Sequence, residues 1–347
     1  MSSEATSDHS LNTLPILILS PHNRCNCRCV MCDIWRLRQV REITRRDLEG
    51  HLESLRKLGV EWIVFSGGEP LMHSDLWSLA GMCRAEGVRV TLLTAGLLLE
   101  RHAHNVAESI DDVIVSLDGP PHVHDVVRGV AGAYRLLERG VGALRRWRAD
   151  APIHGRCTVQ KYNARELRST VRTASALNLN SISFLAADLS PETFNRRNAW
   201  TQERAAGVAL SVAEADELEA EVEALIRDCQ EEIGSGFVRE KPDKLRRIVR
   251  SFRAHLGQTS PEAPRCNAPW VSAVVESDGT VRPCFFHGPI GNIHERPLAE
   301  VVNGAAGVEF RRRLDVAADP VCRRCVCSLF WERGNHEITK TAIVQDC

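Results

Sequence analysis

The chain lacks anything that would fix it to a surface. Lys and Arg number 44 and Asp and Glu 45 in 347 residues, leaving a formal net charge of −1. No field of one sign therefore draws it onto nucleic acid or an anionic membrane. No apolar run approaches the ~20 residues needed to cross a bilayer, and the polar first ten residues carry no basic-then-apolar secretory pattern. Internal repeats and low-complexity tracts are missing as well. What remains is a globular composition, 44% hydrophobic and 26% charged. Its length suits one large α/β domain plus a smaller one, expected in the cytoplasm.

Cysteine, by contrast, is abundant. There are thirteen, four of them at positions 25–32 and six after position 265, with only Cys83, Cys157 and Cys229 between. In a reducing compartment an odd and clustered set of thiols points to metal or cluster ligation rather than to a disulfide framework. Two sulfur-rich ends and a sulfur-poor middle predict two separate sites.

Between those ends the hydrophobic pattern alternates. A short, wholly apolar run at 14–19 and short, mainly β-branched and apolar runs at 61–65, 88–93, 113–116, 153–159 and 181–185 predict buried parallel strands. Helical periodicity fills the intervals: a stripe of Leu48, Leu52, Leu55 and Leu58 capped by Thr44, then 75–85, 99–109, 131–139 and 165–177. Six strands alternating with helices specify a parallel sheet with helices outside, and six units are too few for the usual eight-stranded barrel. Active-site loops of such folds lie at the carboxyl ends of the strands. The loop holding Cys25, Cys29 and Cys32, the turn Gly67-Gly68-Glu69-Pro70 and the turn Ser116-Leu117-Asp118-Gly119 all fall there. The acidic stretch 213–228 and the basic stretch 241–256 are expected to be solvated helix faces.

Three thiolates spaced Cys25-x3-Cys29-x2-Cys32 can surround one compact inorganic centre, and a four-iron cluster normally takes four. One iron is left open. With the strand before it and Gly67-Gly68-Glu69-Pro70 downstream, the triplet resembles that of the radical S-adenosylmethionine (SAM) enzymes. The resemblance implies a partial (β/α)6 barrel related to the TIM barrel. It implies a [4Fe–4S] cluster on Cys25, Cys29 and Cys32, with SAM on the fourth iron. Met31 stands where the family usually places an aromatic residue against the adenine, and it can still pack on a ring. Gly67, Gly68, Glu69 and Pro70 correspond to the SAM-binding turn, where the glycines let the backbone approach the methionine moiety and Glu69 accepts from its ammonium group. Ser116 and Asp118 match residues near the SAM ribose and carboxylate, although a plain strand-ending turn would look the same; Arg128, Gln160 and Asn163 are further candidates. Cys27 reads as a bystander, because a fourth thiolate would close the iron that SAM needs.

The carboxyl-terminal section resembles the auxiliary-cluster domains called SPASM and, in shorter form, Twitch. Cys266-x12-Gly279-x4-Cys284 fits the family's opening pattern, with a hairpin signal at Asp278-Gly279. The later part departs from it, offering Cys322-x2-Cys325-x-Cys327 and Cys347. This implies one auxiliary [4Fe–4S] cluster held by Cys266, Cys284, Cys322 and Cys325. A zinc knuckle with four cysteine ligands suits the same pairs. Cys327 and Cys347 could replace a ligand, donate a hydrogen atom, or do neither. The expected organisation is a polar tail (1–12), a radical SAM core barrel (13–232), a helical linker (233–262) and a β-hairpin/helix auxiliary domain (263–347).

For function the resemblance implies reductive cleavage of SAM and removal of hydrogen from an unactivated carbon, with flavodoxin or ferredoxin as electron donor. Dehydrogenation and epimerisation both remain open, as do oligomeric state and substrate. The short segment ahead of the first strand holds no leader-binding module, so the expected substrate is a small polar metabolite such as a sugar, aminocyclitol or nucleoside. The alternatives are a peptide maturase working with a separate leader-binding protein, and a non-catalytic zinc scaffold. His22, His122, His124, His154 and His287 are expected to be structural.

Overall fold

In a computed structural model, residues 9–189 and 200–332 are described. The six expected strands form: β1 (Ile16–Leu19), β2 (Trp62–Phe65), β3 (Arg89–Thr94), β4 (Asp112–Ser116), β5 (Ile153–Val159) and β6 (Ser181–Ala186). They pair in parallel, in sequence order, with helices between them. β1 and β6 are not paired with each other, so among the described residues the sheet stays open. The strands are buried along nearly their whole length because both faces are covered: Ile63, Phe65, Leu92, Val115 and Ile153 are all within 2% of full burial.

The carboxyl-terminal hairpin is not a detached module. β7 (Ser272–Val275) lies parallel to β1, from Ile16 opposite Ser272 to Leu19 opposite Val275. β8 (Thr280–Arg282) and β9 (Gly291–Asn292) follow antiparallel, and the order across the sheet is β6-β5-β4-β3-β2-β1-β7-β8-β9. The turn at Asp278-Gly279 joins β7 to β8, with Gly279 at φ +81°, a left-handed conformation that favours glycine.

Two expectations about helices change. The stripe through Leu48 and Leu58 is two short helices, Arg45–Glu49 and Leu52–Lys57, separated at Gly50 and His51. The segment expected as a linker holds the helix Pro242–His255, which buries Leu245, Ile248, Val249 and Phe252 against β6 and the helix Val212–Asp228. It belongs to the packed body because its apolar stripe recurs at helical spacing. The acidic and basic stretches face each other: the Arg246 Nε donates to Glu223 at 2.6 Å and Arg253 donates to Asp216 at 2.9 Å. Among the described residues no helix is long and apolar enough to cross a membrane.

Candidate functional site

The carboxyl ends of all six parallel strands converge on one cleft of about 270 Å³. Each strand or the loop after it contributes: Cys25, Cys29 and Cys32 after β1, Gly67 and Gly68 after β2, Ala95 after β3, Ser116 from β4, Arg156 and Thr158 from β5, and Asp188 after β6.

The cysteine loop is held from three sides. Ser20 N donates to Val275 O of β7 at 2.8 Å. Arg28 N and Val30 N donate to Arg128 O and Val127 O, at the end of the helix Pro121–Arg128. Gly68 N and Glu69 N donate to His22 O (3.2 Å) and Arg24 O (2.7 Å). Cys25, Cys27, Cys29, Met31 and Cys32 gather into one small cluster with Ala95, Leu97 and Val130. None of the described cysteines is in a disulfide. Their chemistry fits an iron–sulfur cluster, since thiolates are the soft ligands such clusters use. A cation stands ready to balance the thiolate charge, with Arg128 Nη1 3.5 Å from Cys29 Sγ. The Cys27 thiol donates to Cys29 and holds it below the ordinary thiol range; Arg128 adds to this against the effect of burial.

The pair Gly67-Gly68 has a structural reason beyond contact with a ligand. A Cβ on Gly68 would lie 2.0 Å from Arg24 O, and one on Gly67, at φ +90°, 2.7 Å from Ser20 Cβ. The glycines are required because the cysteine loop docks on this turn. Gly68→Ala is therefore expected to displace the loop and to lower bound iron by about half, the share of one cluster in two. Gly81→Ala, where an added Cβ meets nothing within 4 Å, should leave iron unchanged. Full iron in Gly68→Ala would refute the docking role.

Glu69 and Asp118 lie beneath the cleft surface. The Glu69 carboxylate, 1% exposed, accepts from Thr94 Oγ1 (2.7 Å), Ala95 N (2.8 Å) and Leu71 N (3.1 Å). Burial pushes its pKa up and these bonds oppose the shift. It ties the β2 turn to the end of β3. Pro70 opens the short turn Pro70–Met72 and is buried there with Leu71. Asp118 is fully buried, ion-paired to Arg128 and accepting from Thr158 N at 2.9 Å. Burial raises the Asp118 pKa, and the Arg128 charge pulls it back. Removing either partner would strand a buried charge, at a cost of about 3–5 kcal/mol. Of this pair, Arg128 lines the cleft. Gln160 and Asn163 are buried; Asn163 Nδ2 donates to Asp118 O at 3.0 Å and braces the β4 turn from below, while Gln160 N donates to Asn163 Oδ1 at 2.8 Å.

The second sulfur site is a small cavity of about 40 Å³ lined by Cys266, Cys284, Cys322, Cys325 and Cys327 and otherwise mostly by apolar groups such as Ile18, Pro264 and Leu329. Five thiols exceed the four of a closed zinc site. His287 Nε2 lies 3.4 Å from Cys322 Sγ and 3.8 Å from Asp319 Oδ1. Burial pushes Cys284 up to about 12. Cys327, Phe285 and Phe286 line both this cavity and the cleft, so they form the wall between the two sites. Cys347 lies outside the described residues.

Of the other candidate histidines, His122 is exposed, and three have structural partners. His22 is buried with Nε2 2.7 Å from Glu69 O, the Asp118 N donates to His124 Nδ1, and His154 Nδ1 lies 2.8 Å from Ser181 Oγ. Sequence reasoning missed Arg156, Asp188 and the Phe285–286 wall. The Arg156 signal was a guanidinium in the middle of an expected buried strand.

Residues 19–174 match the radical SAM superfamily, and residues 266–326 match the iron–sulfur cluster-binding SPASM domain. The Fe-coproporphyrin III synthase of Methanosarcina barkeri is 26% identical over 353 residues, covering 95% of this chain and 84% of that protein. The PqqA peptide cyclase of Streptomyces rochei is 34% identical over 118 residues, 33% of this chain and 32% of its own. The fold is similar to that of native anSMEcpe with bound AdoMet, at a TM-score of 0.63 and 20% identity over 85% of this chain and 82% of that one. The chain belongs to the radical SAM superfamily, whose members use a SAM-binding [4Fe–4S] cluster, and it carries a SPASM domain of the kind that holds auxiliary clusters.

Proposed function

We propose that this radical SAM enzyme modifies an apolar side chain of a ribosomally made peptide, presented with the help of a separate leader-binding protein. The observation that carries this reading is the cleft wall on the auxiliary side. Phe285, Phe286, Val326 and Cys327 stand there with Leu185, and none brings a hydroxyl or amide side chain. A sugar or aminocyclitol would lose its water to such a wall without replacement hydrogen bonds, whereas an apolar side chain gains from the burial. Similarity to a peptide cyclase over a third of the chain agrees with this. A second reading, a carboxylated tetrapyrrole, is favoured by a relative whose match runs through the carboxyl-terminal section.

Cys25, Cys29 and Cys32 are assigned as ligands of the first cluster, and Cys266, Cys284, Cys322 and Cys325 as ligands of the auxiliary one. When bound, the first cluster and SAM supply the one-electron chemistry that makes a carbon radical able to take hydrogen from an unactivated C–H bond. The protein's part is to exclude water and to hold the target carbon in line. Gly67, Gly68, Ser116 and Met31 shape the SAM side of the cleft, and Glu69 and Asp118 fix their turns from behind. Cys327, on the shared wall, is placed to return a hydrogen atom, its S–H bond breaking as a new C–H bond forms. Epimerisation follows where it does so; where the substrate radical instead passes an electron to the auxiliary cluster and loses a proton, dehydrogenation follows.

The test is anaerobic turnover with SAM and dithionite, in three arms: a precursor peptide with its leader-binding partner, iron-coproporphyrin III, and a deoxyaminocyclitol. The peptide is expected to raise 5′-deoxyadenosine release above the substrate-free rate and to change mass. Stimulation by the cyclitol alone would restore the small-metabolite reading and overturn this one.

A further inference from the structure

A second concavity, of about 360 Å³, opens beside the catalytic cleft and shares Asp188 and Val326 with it. Its walls are the helix Pro242–His255 and the loop that carries Cys322 and Cys325. Four guanidinium groups line it, from Arg247, Arg250, Arg323 and Arg324, against two carboxylates, Asp188 and Glu262. The excess of two positive charges is local, because the chain as a whole is near neutral.

The helix sorts its arginines by face. Arg246 and Arg253 are engaged by the acidic helix Val212–Asp228. Arg247 and Arg250, three residues apart, turn instead to the concavity. Arg247 donates to Cys325 O, and its Nε is a buried donor with no hydrogen-bond partner among the described residues. Arg250 meets Glu262 at 4.0 Å and otherwise makes one long bond, its Nη2 donating to Asp243 O at 3.5 Å. The Arg324 side chain is exposed and has no ion pair or hydrogen bond among the described residues. A cluster of underused guanidinium groups in a concave site is built for planar oxyanions, which arginine binds in a bidentate manner.

We infer that this arginine-lined concavity seats a carboxylate of the substrate, so that the substrate class is an acid whose reacting carbon enters the cleft past Val326 while its carboxylate stays outside. The inference deepens the proposed function and rests on that reading only in assigning the carboxylate to substrate. A peptide with acidic side chains and a tetrapyrrole with propionates would supply the same chemistry.

The test is binding to the anaerobic holoprotein, which needs no turnover and so separates this inference from the reading above. One pair of probes is iron-coproporphyrin III and its tetramethyl ester; the other is a hexaglutamate peptide and its hexaglutamine counterpart. The parent should bind at least one acid about tenfold more tightly than its neutral partner, the scale of one charge-assisted contact, and the pair that responds identifies the source. Arg250→Gln with Arg324→Gln should erase that preference while substrate-free SAM cleavage is unchanged. A parent that does not prefer either acid, or a double variant that keeps the preference, overturns the inference. Loss of flavodoxin-driven but not dithionite-driven SAM cleavage, with acid binding intact, would instead make the concavity an electron-donor dock and would also overturn it.

Discussion

Alanine at Cys25, Cys29 and Cys32 together is expected to remove about half of the roughly eight irons that two cubane clusters contain, and to abolish SAM cleavage completely. The three cysteines line the same cleft, on a loop anchored by main-chain bonds to β7, to the helix Pro121–Arg128 and to the Gly67-Gly68 turn. Because those anchors use backbone atoms, the loop should survive loss of the thiols, and the second cavity lies behind the Phe285–286 wall. Anaerobic iron and sulfide analysis with a 5′-deoxyadenosine assay reads both effects. Cys27→Ala is the control: it should keep its iron and its activity. Stoichiometric zinc without iron in the anaerobically prepared parent would end the assignment.

Changing Cys322 and Cys325 together to Ala is expected to stop substrate turnover while slow, substrate-free SAM cleavage persists. The auxiliary cavity has five thiols, and the loss of two leaves too few to close a four-iron centre. The first site should still bind its cluster, since none of Cys25, Cys29 and Cys32 lines the second cavity. Cys327 gives the contrast. It is the cysteine common to both cavities. As a hydrogen donor, its replacement by Ala should stop product formation with iron unchanged. If Cys327→Ala costs iron, it is a ligand and the set of four must be redrawn. Full turnover in the Cys322/Cys325 double variant would show that the auxiliary site is dispensable.

Much of this was legible because the relevant signals are local. The strand at 14–19 needed only its own apolar run, and Asp278-Gly279 announced its hairpin. The two cysteine groups were legible because a cluster demands sulfur at short spacing. Sheet partnership was not: Ser272–Val275 reads as a strand, but nothing within it says that it pairs with β1 rather than forming a separate unit. The helix Pro121–Arg128 escaped notice because it is short and carries histidines in its apolar pattern, although Pro121 and the left-handed Gly129 mark its ends. Glu69 and Asp118 were placed at the right turns, but sequence could not say that their carboxylates point inward to brace them. Burial is a property of the assembled sheet, as the Gly68 contact with Arg24 also is.

The parallel pairing of β7 with β1 has a consequence for how the chain can be divided. β1 is flanked on one side by β2 and on the other by β7. A fragment ending before Ser272 would bare that side of β1 as an unprotected edge of four apolar residues, Ile16 to Leu19, a ready template for pairing with another chain. Such an amino-terminal fragment should therefore precipitate or self-associate when produced alone. Evolution could not have exchanged the auxiliary section as a cassette without also repairing the strand that opens the catalytic loop.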